Sequence, residues 1–317
     1  MTQIVSWSEL SDARQCPMKH KKAYRERWQT TPTGTDALSK GSCYHSVMDV
    51  HFSALKATQG EYYNPAQDSD RLEYAVSAAQ QRIDEMRQDR EYPEETIELV
   101  EWMYVGYVEM YGIDRDWRIL AVETTHHVPF YEPIGNTGEW QRVDDFELKI
   151  KIDVAVTDQR DRLWIVDHKS AGKMPGSEKD FQWADQFGLY HYGYRELGYK
   201  VCGTIHNAAL SKPNKGDLLS EGDPGWKSTM KAHTLESRFV RTFMDRTDHE
   251  LRVIQWEALQ TFRNIYGAKT TPRHPDEERC RWKCSFADAC NMSRRNGEHL
   301  FDEYLVDTGF TQDFRRN

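Results

Sequence analysis

Two aspartates and a lysine lie where a pair of strands would bring them together. Residues 146–156 alternate strictly between apolar and polar side chains, which predicts a strand with one buried face. A polar turn then leads into a second strand, LWIVDHK at residues 163–169. Asp167 and Lys169 are two residues apart and therefore leave from the same face. In a hairpin symmetric about the turn, Asp153 lies directly opposite Asp167, with Cβ atoms about 4.5–5.5 Å apart.

This grouping has the chemistry of a metal site. Two carboxylates so close repel each other unless a cation lies between them. Mg²⁺ and Mn²⁺ prefer oxygen ligands of this kind. Lys169 beside such an ion could orient or deprotonate a water, or neutralise charge on a phosphate. The alternative is an exposed hairpin whose polar face carries an ordinary Asp–Lys salt bridge.

The cysteines predict a second metal centre. Three of the six occur as C-x3-C-x5-C, formed by Cys280, Cys284 and Cys290. A four-thiolate site needs one more ligand, and Cys16 is the best candidate. Six cysteines in 317 residues do not make a disulfide framework, and in a reducing compartment such clusters more often bind metal. Free thiols remain the alternative.

Positive charge is concentrated around these cysteines, although the whole chain has a net charge of −9. Residues 14–27 contain six basic side chains against one acidic, and residues 279–295 contain five against one. If the cysteines meet, the two segments form one basic patch that the total charge conceals. The alternative is two separate, solvated helix faces.

The pattern of elements predicts an α/β protein. Amphipathic helices are expected from Ser6 to the region of Cys16, from residue 38 into the fifties, and over residues 71–89 and 94–111. Strands follow at 118–124 and in the hairpin, then a helix at 181–197, a strand at 200–210 and a helix at 235–267. We expect a single domain over residues 1–317, comprising a basic segment (1–37), a core (38–210) with a helical insertion (58–115), a loop and helix (211–270), and a cysteine-rich end (271–317).

In its order of motifs the chain resembles the RecB-like branch of the PD-(D/E)xK nuclease superfamily. The resemblance rests on a helical G-x-x-x-H at residues 41–45, then Asp153, then the D-x-K strand, then Q-x-x-x-Y at residues 186–190. It implies a restriction-endonuclease-like αβββαβ core with a central mixed sheet. The family often has a glycine two residues before its metal-binding aspartate, whereas this chain has Lys151.

The resemblance implies a role for each matching residue. Mg²⁺ or Mn²⁺ would be held by side chains and by the main-chain carbonyl of the residue before the lysine: His45, Asp153, Asp167 and His168. Lys169 would orient or activate the attacking water. Gln186 and Tyr190 would brace the site or contact DNA. Glu123, on the preceding strand, is expected as a further metal-binding or water-positioning carboxylate.

The cysteines also have a counterpart in this branch. One N-terminal cysteine with a C-terminal trio resembles the iron–sulfur staple of AddB nuclease domains and CRISPR-associated adaptation exonucleases. The resemblance implies a [4Fe–4S] cluster on Cys16, Cys280, Cys284 and Cys290, joining the two ends of the chain. Structural Zn²⁺ is the main alternative, although zinc sites usually pair their cysteines as two close couples.

The implied activity is metal-dependent hydrolysis of DNA. The resemblance favours an exonuclease acting on single strands or ends, in recombination, repair or phage replication, with a possible helicase or recombinase partner. The basic residues expected to contact DNA lie beside the cysteines: Lys19, Lys21, Lys22, Arg281 and Lys283. The alternative is a nuclease-fold module that binds DNA or a protein without cutting. With no apolar run of about 18 residues and no signal peptide, we expect a cytoplasmic protein without a membrane partner.

Overall fold

The computed structural model describes residues 2–29, 37–60, 64–176, 181, 184–219, 222–225, 227, 231–282 and 284–313. Its contacts divide the chain into two compact units. The catalytic unit, as we call it, comprises Thr33–His126 and Ile150–Leu251. The cysteine unit comprises Met1–Pro32, His127–Lys149 and Arg252–Asn317. The expectation of a single domain stays a prediction.

The catalytic unit begins with three long helices, at the positions that the hydrophobic periodicity predicts. They are α3 (Ala37–Thr58), α4 (Asp68–Gln88), which follows a 3₁₀ turn at Pro65–Gln67, and α5 (Glu94–Tyr111). Their apolar faces form one core that includes Tyr44, Phe52, Ile83 and Tyr104. Val166 of the sheet packs in the same core, so α3 is fixed against the strands that carry the candidate catalytic residues.

The sheet contains the predicted strands and two that were not predicted. The predicted strands are β3 (Arg118–Pro133), β4 (Trp140–Thr157), β5 (Leu163–Ala171) and β6 (Val201–Leu210). The other two are β7 (Phe239–Met244) and β1 (Gln3–Ser6), which pairs in parallel with β4. β4 and β5 are antiparallel, β5 and β6 are parallel, and β6 and β7 are antiparallel. The sheet is therefore mixed, and α3, β3, β4, β5, α6 (Asp185–Glu196) and β6 give the αβββαβ order.

Helix α6 approaches strand β4 closely at a glycine. A Cβ atom built on Gly193 would lie 2.5 Å from the Cδ1 atom of Ile150, well inside van der Waals contact. Ile150 is buried, and the helix residues around Gly193 are buried too. A side chain at position 193 would therefore require Ile150 to move or α6 to shift.

One predicted helix is wrong in part. Residues 235–267 form a short helix α8 (Leu235–Arg238), strand β7 and then helix α9 (Asp248–Gly267), instead of one continuous helix. Strand β6 is buried over most of its length, so its backbone groups need a neighbouring strand. The pairing of β6 with β7 satisfies them, and this non-local requirement is invisible in the local sequence pattern. A further short helix, α7 (Lys215–Leu218), lies in the expected loop region.

The cysteine unit contains both terminal segments. The N-terminal elements are β1 (Gln3–Ser6), α1 (Trp7–Gln15), α2 (Pro17–His20), a π-helical turn (Lys21–Arg25) and β2 (Trp28–Gln29). As predicted, Ser6 caps α1 by accepting a hydrogen bond from the Glu9 amide. The C-terminal elements are α10 (Glu277–Trp282), α11 (Ala287–Asn296), α12 (Leu300–Asp307) and β8 (Thr311–Gln312), which pairs with β2.

Candidate active site and cysteine cavity

The hairpin register places Asp153, Asp167 and Lys169 relative to one another as the sequence predicts. Val154 pairs with Val166, so the same register extended by one residue sets Asp153 opposite Asp167. Side chains alternate along β5, and Asp167 and Lys169 therefore share one face while His168 points to the other. The short polar turn and the long apolar alternation fix this register, because a slip of one residue would bury the charged face.

Asp167 and Lys169 form a tight, mostly buried pair. The Nζ atom of Lys169 lies 3.0 Å from Oδ1 and 2.9 Å from Oδ2 of Asp167, whose side chain is 3 % exposed. Burial raises the pKa of Asp167, the nearby charge of Asp153 adds to the effect, and Lys169 opposes it. Burial alone would lower the pKa of Lys169, but the Asp167 carboxylate outweighs it and raises that pKa. The amine is therefore held as an ammonium.

His45 and Asp153 form the second pair. The Nδ1 atom of His45 lies 3.2 Å from Oδ2 of Asp153, and the same oxygen accepts a 2.7 Å hydrogen bond from the backbone N–H of His168. Burial acts to raise the pKa of Asp153, but the charge and hydrogen bond of His45 outweigh it and lower that pKa to about 2. Burial acts to lower the pKa of His45, and Asp153 raises it on balance.

Three of these groups could hold one divalent ion. Ligand atoms of His45, Glu123 and Asp153 all lie within 4.8 Å of one another. Glu123 adopts φ of +49°, which is rare for a residue with a side chain and clusters at functional sites. The predicted ligand Asp167 is bound to Lys169 instead of joining this trio. Nitrogen and carboxylate oxygen suit Mn²⁺ and Mg²⁺, so the donor set fits such an ion.

The two family-like helix motifs reach the same cavity. His45 comes from α3, and Gln186 and Tyr190 lie one turn apart on α6. The amide nitrogen of Gln186 donates to Asp167 Oδ1 at 3.4 Å and to the Tyr190 hydroxyl at 2.9 Å. The cavity has a volume of about 660 Å³, and its lining includes Tyr190 and the metal-binding candidates.

Two further charged residues, which the motifs did not single out, also line this cavity. Asp49 lies four residues after His45 on α3, the spacing that puts both side chains on one helix face. That spacing is the signal by which the sequence could have revealed it. Lys151, noted only as a departure from the family pattern, forms an ion pair with Glu123.

A buried polar network lies behind β5. Asn207 on β6 donates to Nδ1 of His168 at 3.0 Å, and its side-chain oxygen accepts from Arg241 on β7. Burial lowers the pKa of His168 to about 3, so the imidazole is neutral. Arg241 in turn pairs with Asp114 at 2.6 Å and donates to the Tyr107 hydroxyl at 2.8 Å. The network holds the strand position from which His168 contacts Asp153.

In the cysteine unit, the four predicted thiols line one cavity of about 670 Å³. Cys16 lies between α1 and α2, and Cys280, Cys284 and Cys290 come from the C-terminal helices and the turn between them. Three of the thiols pack against a small core that contains Phe286. Burial raises the pKa of the Cys284 and Cys290 thiols. As the sequence predicts, Cys16 therefore lines the same cavity as three cysteines that follow it by 264 positions or more.

The spacing of the sulfurs bears on which metal they suit. Zn–S bonds of about 2.3 Å place tetrahedral thiolates about 3.8 Å apart. Among the described residues, no three of these thiols have sulfurs within 4.8 Å of one another. A four-iron cluster, in which each thiolate binds a different iron, needs wider spacing than a single zinc ion. Among the described residues the thiols therefore do not form a ready-made zinc site.

The basic residues around this cavity differ in their ion pairs with acidic side chains and in whether they line the cavity. Lys19 pairs with Asp12 at 2.6 Å and also lines the cavity, as does Arg281. Lys21 pairs with Glu26 at 3.2 Å.

Lys22 differs from its neighbours because its side chain is only 6 % exposed. Its Nζ bonds Asp302 at 2.5 Å and Glu26 at 2.6 Å. Its charge is therefore paired within the unit. Its contact with DNA stays a prediction. Lys283 lies outside the described residues.

Within the described part of the chain, no helix is both long and apolar enough to cross a lipid bilayer.

Comparison with known proteins identifies the family. Similar solved structures include a candidate exonuclease from Eubacterium rectale, with 13 % identity, a TM-score of 0.44 and coverage of 88 % of this chain and 87 % of that one. They also include a protein named SSO0001, with 10 % identity, a TM-score of 0.33 and coverage of 90 % of this chain and 95 % of that one. No curated protein sequence matches significantly. The family model of the PD-(D/E)XK nuclease superfamily matches residues 4–291. This chain therefore belongs to the PD-(D/E)XK nuclease superfamily.

Proposed function

We propose that the protein is a divalent-metal-dependent DNA nuclease that hydrolyses phosphodiester bonds. The observation that carries the proposal is the β4–β5 register, which sets Asp153 opposite Asp167 and beside Lys169 on the wall of one cavity. His45 reaches that cavity from α3 and contacts Asp153. Nuclease chemistry requires charge stabilisation at a phosphate, and a cation held by these side chains supplies it.

Each residue has a role in this proposal. Mg²⁺ or Mn²⁺ would be held by His45, Asp153 and Glu123 and, as the family resemblance implies, by the His168 carbonyl and by Asp167, whose carboxylate would then be shared with Lys169. The ion would polarise the phosphate and lower the pKa of a water.

The remaining roles belong to side chains that bind no ion. Lys169, kept protonated by Asp167, orients the attacking water and counters charge that develops on the phosphate. Gln186 holds Asp167 in place, while Tyr190 lines the cavity where the strand would lie.

Cleavage of end-labelled DNA by the purified protein tests this function. We expect Mn²⁺-dependent cleavage by the wild type and a loss of at least about 100-fold in Lys169→Met, the scale of a lost charge-stabilising group. Lys200→Met is the matched control, because Lys200 is exposed and does not line the cavity, and it should cut like the wild type. If wild type and Lys169→Met leave DNA equally intact, the protein is a nuclease-fold binding module instead.

Labels on the 5′ and 3′ ends separate the finer alternatives. We propose an exonuclease of RecB-like type, acting on single strands or on DNA ends in recombination, repair or phage replication. Support comes from the two helix motifs: His45 on α3 and Tyr190 on α6 line the cavity, and Gln186 on α6 donates to Asp167. Mononucleotide products released from one labelled end are expected, and internal cutting of circular DNA would contradict this. A helicase or recombinase partner would raise the cleavage rate on duplex ends.

We also propose a [4Fe–4S] cluster on Cys16, Cys280, Cys284 and Cys290. The common cavity of the four thiols supports a metal centre there, and the single N-terminal cysteine with a C-terminal trio is unlike the two close couples usual for Zn²⁺. Protein purified without oxygen should contain about four irons and four sulfides per chain, as this cluster type requires. One zinc and no iron per chain would establish the structural zinc alternative. Lys19 and Arg281, which line the cavity, would contribute to DNA affinity, so binding should weaken with salt.

A further inference from the structure

Lys151 brings a positive charge into the active-site cavity, where the candidate ligands are acidic. It lies two residues before Asp153 on β4, and alternation along the strand puts both side chains on the same face. Its ammonium group forms an ion pair with Oε2 of Glu123. The Lys151 side chain is 60 % exposed while that of Glu123 is 20 % exposed, so the lysine covers the carboxylate from the solvent side.

Three carboxylates lie within electrostatic reach of one another around this lysine. Burial raises the pKa of Glu123, the charges of Asp153 and Asp49 raise it further, and Lys151 opposes them. The pKa of Asp49 responds in the same way to burial, to Lys151 and to Asp153. Like charges this close need a cation between them, and here the chain itself provides one.

The charges of the cavity indicate how many metal ions it can take. The cavity lining contains four carboxylates, Asp49, Glu123, Asp153 and Asp167, and two lysines, Lys151 and Lys169. The lysines balance two of the negative charges, and the two that remain match a single divalent ion. Without Lys151, the cavity would have an additional negative charge and a Glu123 oxygen no longer bound to the lysine, and hard divalent cations bind carboxylate oxygens of this kind.

We propose that Lys151 takes the place of a second divalent ion, so that this cavity binds one Mg²⁺ or Mn²⁺ and no more. The inference rests on the proposed metal-dependent function. Glu123 is held by Lys151 on one oxygen, and its other oxygen is the one available to the single ion beside His45 and Asp153. The exposed ammonium of Lys151 also meets the phosphate backbone of an incoming strand, a charge that a second ion would otherwise neutralise.

Counting bound Mn²⁺ tests the proposal directly. Isothermal titration and Mn²⁺ electron paramagnetic resonance on the full chain should give one ion per wild-type molecule. Lys151→Gln should bind two, with the magnetic coupling expected of neighbouring ions, and the added Glu123→Gln change should abolish the second. Lys151→Arg should keep one ion because it keeps the charge. Lys149→Gln is the matched control, since Lys149 is exposed on the same strand and outside the cavity.

Two outcomes overturn the role of Lys151: two coupled ions in the wild type, or a single ion in folded Lys151→Gln. The first needs no variant, so it stands even if a substitution impairs folding. DNA cleavage measured on the same wild-type samples separates this inference from the proposed function. A protein that cuts DNA with two ions overturns only the role of Lys151, whereas one that neither binds Mn²⁺ nor cuts overturns both.

Discussion

Arg241 lies at the centre of the polar network behind β5, and its replacement by methionine should destabilise the catalytic unit strongly. The guanidinium group pairs with Asp114 at 2.6 Å, donates to Tyr107, and lies 3.5 Å from the Tyr111 ring centroid and 4.0 Å from that of Trp117. The side chains of Arg241 and Asp114 are 15 % and 4 % exposed. Arg241→Met therefore leaves a buried carboxylate whose remaining hydrogen-bond donor is the Tyr107 hydroxyl.

The size of the effect follows from that unpaired charge. Removing one partner of a buried ion pair costs about 3–5 kcal/mol. For a domain of roughly 150–250 residues, each kcal/mol lowers the Tm by about 2–4 °C, so a fall of about 6–20 °C is expected. Arg195→Met is the matched control, because Arg195 and its partner Asp248 are 38 % and 72 % exposed. Such a surface pair contributes about 0.2–1 kcal/mol.

Thermal unfolding followed by circular dichroism measures both variants. The double variant Arg241→Met/Asp114→Leu should regain part of the lost stability, because it buries no unpaired charge. A Tm of Arg241→Met equal to that of Arg195→Met would refute the reasoning. A double variant less stable than Arg241→Met would also contradict it, since packing and not charge would then dominate.

Three further results are expected. Below the pKa of His45, which Asp153 raises, Mn²⁺ affinity should fall about tenfold per pH unit, because each bound ion displaces the imidazole proton. The variant His45→Asn should flatten this dependence. A wild type whose Mn²⁺ affinity in titration calorimetry does not change with pH would contradict the expectation. Asn207→Leu should lower Mn²⁺ affinity or kcat about 10- to 100-fold through the His168 backbone, with wild-type kinetics as the contrary outcome. Cys16→Ser should lose iron while the catalytic unit still binds Mn²⁺, and unchanged iron content would remove this cysteine from the cluster.

The parts of the fold that could be predicted are those with a strong local pattern. The alternation through β4 fixes which face is buried, and with it the position of Asp153 opposite Asp167. Periodicity located α3, α4 and α5 within a few residues. Strand β7 was missed because what makes it a strand is the unpaired edge of β6, which lies about 30 positions earlier.

The site was predictable to the same degree. Residues within recognisable spacings, such as Asp167 with Lys169 or Gln186 with Tyr190, do contact each other. The ion pair of Lys151 with Glu123 depends on the pairing of β3 with β4 and on a left-handed backbone at Glu123, neither of which any spacing encodes. The same holds for Arg241, whose partners come from two separate segments of the chain, residues 107–117 and Asn207 on β6.

The contact at Gly193 gives the active site a sensitivity to changes that do not touch it. Gly193 lies seven residues, or about two helical turns, after Gln186 on the same rigid helix. One added methyl group there would overlap the Cδ1 atom of Ile150, and any shift of α6 that relieves the overlap would reach the Gln186 amide that donates to Asp167. Random mutagenesis for lost activity should therefore recover substitutions at position 193, in proteins that remain folded and whose catalytic side chains are all unchanged.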